Sequence, residues 1–188
     1  MGKNKIIKDA IALFVITLVS GLCLGFVYNI TKDPIALAEE QAKQESYQTV
    51  FPEAASFQNN GDIDTALASW TADGAEVTEV LEAVDSAGTV LGYVVSVTAT
   101  EGYGGDISLS LGVAQDGTIT GLEVLSMSET AGLGAKCTAQ EFKSQFAGIQ
   151  KDQVVMNEDF DQISSATVTS SAIEKGVNGA LGFVSEIR

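Results

Sequence analysis

The chain has 188 residues, of which 25 are Asp or Glu and 10 are Lys or Arg, giving a formal net charge of -15. That balance excludes nucleic-acid binding, which needs clustered cations, and the absence of His removes the commonest general base and transition-metal ligand. A hydrophobic share of 45% with only 2 prolines predicts one globular domain with its own core and a modest appendage.

The appendage comes first. Lys3, Lys5 and Lys8 precede a run from Ala10 to Ile30 that carries no charge. At about 1.5 Å per residue this run spans roughly 31 Å, one hydrocarbon core. A cleaved signal peptide, a lipoprotein signal and an uncleaved anchor compete for it. Ala36-Leu37-Ala38 has the look of a cleavage site, but it lies past Pro34, and the run exceeds the about 7–15 residues of a signal core. Leu22 stands before Cys23, where a lipoprotein signal needs a small residue. An uncleaved transmembrane helix over 10–30 is therefore expected. The lysines before it and the acidic surplus after it place residues 1–9 in the cytoplasm and the rest outside. Gly21 and Gly25 form a GxxxG pair, either a packing face for another membrane helix or the glycine common in spanning segments. Cys23, inside the apolar run, and Cys137 make a lone pair that supports neither a zinc nor an iron–sulfur site within this chain; the alternative is a cluster shared with another subunit through Cys23, and no metal of the chain's own is expected.

Residues 31–52 read as a separate juxtamembrane helix, with Asp33 as cap, Pro34 in the first turn, and Ala, Glu, Gln and Lys following. Residues 53–75 are polar, with "NNGD" and "ADG" turns, and predict loops. From Val77 the period becomes strand-like in "VTEVLEAVD", "TVLGYVVSVTAT", "DISLSLGVA" and "TITGLEVLSM", with turn residues between them. Four consecutive strands on short links imply an antiparallel sheet. "TAQEFKSQFAG" predicts a short helix from Thr138 closed by Gly148. Ile173, Val177, Ala180, Leu181, Val184 and Ile187 form the apolar stripe of a C-terminal helix that lies on the sheet. The expected fold class is α+β: a single N-terminal transmembrane helix, then an antiparallel sheet with packed helices over 53–188.

Six of the eight residues from Ser164 to Ser171 carry hydroxyls, just ahead of that last helix. Thr169, Ser170 or Ser171 would serve as N-cap. One reading is an elaborate cap. Another is a phosphate site, since a helix N-terminus offers free N–H groups and a positive dipole end, and a nearby threonine can hold a phosphate as an ester.

The stretch Asp161, Ser164, Ser165, Ala166, Thr167 resembles the flavinylation motif of the FMN-binding domain family, whose last threonine carries FMN through a phosphoester. Ser165 stands where that family usually has glycine. "GYGGDI" (102–107) resembles the family's glycine-rich strand start, and "SETAGLG" (128–134) its Glu-Thr-Pro-Gly-Leu-Gly segment. Ala131 replaces the proline, and Met127 stands where a histidine often precedes the Glu. Taken whole, the chain is similar to the G subunits of Rnf complexes, membrane ferredoxin:NAD oxidoreductases that pump ions. The C subunits of sodium-translocating NADH:quinone reductases are related, longer proteins.

The resemblance implies covalent FMN on Thr167, with Ser164, Ser165 and Ala166 around it and Thr169 and Ser170 steadying the phosphate. It implies flavin contacts from Glu129, Thr130, Gly132, Leu133 and Gly134, with Tyr103 as a weaker candidate. The partners implied are the A, D and E membrane subunits with the rest of the complex, and a flavin transferase for maturation. The setting implied is a bacterial cell membrane with the domain outside. The chain then acts as an electron relay and not as a complete enzyme. The alternatives are a stand-alone anchored flavoprotein carrier, or an anchored binding module whose hydroxyls only cap a helix.

Overall fold

The computed structural model describes residues 3–188, so Met1 and Gly2 of the expected cytoplasmic segment lie outside the described residues. The chain forms two compact units, Met1–Gln41 and Ala42–Arg188.

The first unit belongs to one helix, α1, Lys3–Val50. Its apolar stretch is long enough to cross a membrane, and side chains such as Phe14, Leu22 and Phe26 are exposed along it. The separate helix expected from Asp33 is not formed, because α1 runs straight through Pro34. Pro34 has no N–H for the Ile30 carbonyl, which ordinarily costs about 3 kcal/mol in a helix interior. The Ala-, Glu-, Gln- and Lys-rich stretch after Pro34 continues the long apolar helix across that local break.

The second unit is built on five antiparallel strands in simple sequence order. They are β1 (Ser56–Gln58), β2 (Ala75–Val84), β3 (Val90–Ala99), β4 (Ile107–Ala114) and β5 (Ile119–Ser126). Strict pairing such as Val95 with Leu111 and Leu111 with Leu122 keeps one apolar face in register. Helix α4 (Thr167–Ile187) lays Ile173, Val177, Ala180 and Val184 on that face, and with Val97, Leu109 and Phe183 they make the main core. The opposite face carries a smaller core of Ala83 and Val94 under Tyr47 and Val50 of the last turn of α1 and Phe51 just after it. There Gly112 permits close approach: a Cβ on it would stand 2.3 Å from the Val50 carbonyl oxygen.

Two expectations need correcting. The segment expected to be loop holds β1 and a short helix, α2 (Gly61–Leu67), with Asn60 as its cap. The helix expected from Thr138 to Gly148 shrinks to α3 (Gln140–Lys143), preceded by a 3₁₀ turn over Gly134–Thr138. Packing decides this: Phe142, Phe146 and Phe160 form an aromatic cluster that a straight helix would not assemble. Gly148 does close the segment, at φ 86°.

Candidate flavin cleft

Helix α4 begins one turn earlier than its hydroxyls predict. Its N-cap is Ala166, and no side chain caps it. A tight turn makes this start: Ser165 sits at φ 64°, and the Ala166 N–H bonds to the Ile163 carbonyl at 2.9 Å. The left-handed conformation explains why glycine suits this position, since a Cβ is strained there.

The hydroxyls expected to cap have other partners. Ser170 is fully buried; its Oγ accepts the Ile163 N–H at 2.9 Å and donates to the Ala166 carbonyl at 3.1 Å. Thr169 Oγ1 donates to Glu129 Oε2 at 2.6 Å. Neither hydroxyl therefore stands free at the helix end. Thr167 differs: its side chain is exposed, and its Oγ1 donates to Gln162 Oε1 at 3.2 Å. A surface hydroxyl thus stands on the first turn of a 21-residue helix whose leading N–H groups have no side-chain cap.

Beside it opens a cleft of 490 Å³, within the usual range for small-molecule sites. Ser165, Ala166, Thr167 and Thr169 line one side, and Glu129, Thr130, Leu133 and Gly134 the other. Two elements far apart in sequence thus converge, as their motifs predict. Tyr103 also lines the cleft while 74% exposed. Val168 was not anticipated; its place next to Thr167 on the first turn of α4 was the available signal. Leu133 and Val168 are large apolar side chains left open to solvent, 42% and 51% exposed, suited to cover a flat ring.

Three expected residues lie elsewhere. Ser164 lines a separate depression of 680 Å³ with Asp161, Gln162 and Lys136. Ser170 is inside the protein, and Gly132 makes a turn at φ 79° without lining the cleft.

Glu129 is the anchor of the site. Oε1 accepts the Gly104 N–H at 2.9 Å while Oε2 takes Thr169, so one buried carboxyl joins three chain segments. Burial, with Glu129 as a second cause, pushes the nearby Cys137 thiol up to about 11. Cys137 is therefore an inert core residue. Among the described residues no cluster of acidic, His or Cys side chains could hold a metal ion.

The donor set fits FMN: an exposed hydroxyl, an open helix N-terminus for a phosphate, and apolar side chains at the mouth of the cleft. Comparisons with known proteins agree. The FMN-binding domain family matches residues 102–182, and the RnfG N-terminal region matches residues 1–50. The G subunit of the ion-translocating oxidoreductase complex of Methanosarcina acetivorans is 32% identical, covering 97% of this chain and 96% of its own. The G subunit of the Na(+)-translocating ferredoxin:NAD(+) oxidoreductase complex of Acetobacterium woodii is 30% identical, covering 92% of this chain and 88% of its own. The crystal structure of Shewanella oneidensis NqrC shares the fold, with a TM-score of 0.50 at 24% identity, over 57% of this chain and 59% of that one.

Proposed function

The chain belongs to the family of G subunits of ion-translocating oxidoreductase complexes and carries its FMN-binding domain, and from that premise we propose that it is a membrane-anchored electron relay bearing FMN covalently on Thr167. FMN, when bound, supplies one- and two-electron chemistry. The observation that carries the assignment to Thr167 is its exposed hydroxyl on an uncapped helix start, at the rim of a cleft lined by the second motif.

The residues then divide the work. Thr167 Oγ holds the phosphate as an ester, and the first turn of α4 offers N–H groups and a positive dipole end to its charge. Leu133 and Val168 would supply apolar contact to the ring and exclude water, and Thr130 and the backbone around Gly134 would supply polar contacts. Thr169 acts through Glu129 and not on the phosphate, because its hydroxyl is already committed. The chain has no histidine base and no nucleotide-binding glycine fingerprint for oxidising a substrate alone, so electrons reach and leave it through the other members of the complex. A tether also suits a domain outside the cytoplasm, where lost flavin could not be replaced.

The test uses the full chain expressed with a flavin transferase. Wild-type protein is expected to fluoresce on a denaturing gel and to gain the mass of FMN minus one water. Thr167→Val removes the hydroxyl and keeps the β-branched shape. It is expected to fold, losing about 1 kcal/mol or less, and to carry no covalent flavin. Flavin retained on Thr167→Val overturns the assignment.

A further inference from the structure

Glu129 is only 8% exposed, yet among the described residues no ion pair includes it. Its oxygens are held by neutral donors alone, the Gly104 N–H and the Thr169 hydroxyl. Carboxylates are seldom buried this way, because hydrogen bonds from neutral groups leave the charge itself uncompensated.

The surrounding backbone is shaped to make it possible. A Cβ on Gly134 would stand 2.4 Å from Glu129 Oε2, and one on Gly102 would stand 2.9 Å from Oε1. A Cβ on Gly104 would meet the Ser128 carbonyl oxygen at 2.1 Å. Two glycines therefore let the chain close on this carboxyl, and Gly104 lets the backbone that donates to it pass the Ser128 carbonyl. An apolar side chain would fill the same volume without a charge to bury. The backbone is thus shaped around a carboxyl group, and that group lies in the wall of the cleft proposed for FMN.

We propose that Glu129 is a positioning residue whose buried carboxylate fixes a negative charge in the cleft wall and so holds the reduction potential of the flavin down. The inference rests on the FMN reading above. Reduction adds electron density to the ring, and an uncompensated negative charge nearby opposes it more strongly in a dry wall than in water. With both oxygens occupied, Glu129 acts by its field and by keeping α4 and the 128–134 loop in place.

The experiment is a redox titration of the full-length, FMN-loaded protein in detergent, with dithionite supplying two electrons per flavin, solvent the protons, and mediator dyes for equilibration. Glu129→Gln keeps the shape, and its amide oxygen still accepts the Gly104 N–H while the Thr169 hydroxyl turns to accept from the amide. Its midpoint is expected to rise by about tenfold in the oxidised-to-reduced equilibrium, about 30 mV for a two-electron couple. Glu129→Asp retains the charge and is expected to stay near the wild-type midpoint. An unchanged midpoint in Glu129→Gln, or an equal rise in both variants, overturns the proposal.

If Glu129→Gln takes up no flavin, the unloaded chain carries the same information. The Cys137 thiol, which Glu129 helps push up, is expected to titrate lower in the Gln variant, and an unmoved thiol overturns the proposal. Wild-type protein without flavin would instead defeat the proposed function, a separate result.

Discussion

Ser165 holds φ at 64° in the turn that launches α4. An L residue in that region is strained by about 1–2 kcal/mol, whereas glycine is free there but more disordered when unfolded. Ser165→Gly is therefore expected to stabilise the domain by about 0.5–1 kcal/mol in urea unfolding while leaving flavin attachment intact. Loss of stability would mean the Ser165 hydroxyl has a partner worth more than the strain. Cys137 gives a pH signature. Its folded pKa is raised from 9.0 to about 11, by burial first and Glu129 second. The unfolded chain thus loses this proton first as pH rises. The stabilisation is complete below pH 9 and fades between 9 and about 11. Unfolding midpoints followed across that window should fall more steeply for wild type than for Cys137→Ala.

At the scale of elements, the tightest junction lies where Gly112 of β4 meets the end of α1. Gly112→Ala would place its Cβ 2.2 Å from Thr120 Oγ1 and 2.3 Å from the Val50 carbonyl oxygen. Overpacking of this kind is expected to cost about 1–3 kcal/mol, read as a lower thermal midpoint. β2 to β5 were legible in the sequence because each alternates or clusters β-branched and other apolar residues over eight or more positions between turn residues. α4 was legible because its stripe, Ile173 to Ile187, runs for about four turns. β1 and α2, of three and seven residues, are too short to show any period. The break read at Pro34 failed because a local rule gave way to a long run of helix formers. The cap of α4 was misread because several hydroxyls adjoin, and only the turn at Ser165 decides which residue ends the loop. In the cleft, Thr167 and the 129–134 segment were legible as motifs. The clasp from Glu129 to Thr169 was not, since 40 residues separate its ends.

For the whole molecule, charge is the dominant property. The lysines of the second unit are largely spoken for: Lys43 pairs with Glu79, Lys143 with Glu123, Lys151 with Asp159, and Lys175 with Asp73 and Glu101. Such pairs contribute little stability at the surface, but they leave the acidic surplus to set the outer field. The same surplus behind an anchor led by lysines motivates the orientation proposed here. Protease added to intact spheroplasts is expected to digest the chain beyond Lys32. Digestion only after lysis would reverse the topology.

The burial of Tyr47, Val50 and Phe51 against Ala83 and Val94 also dictates where a water-soluble version can be cut. The boundary between the two units falls within the residues of α1, at Ala42. A chain trimmed to start at Ala42 keeps the lid on the second sheet face. One trimmed to start at Glu53 strips that face bare, leaving the Thr120 hydroxyl without the Val50 carbonyl it bonds and exposing apolar strands to other copies. Between two trims eleven residues apart, the first is expected to stay monomeric in size-exclusion chromatography, and the second to aggregate.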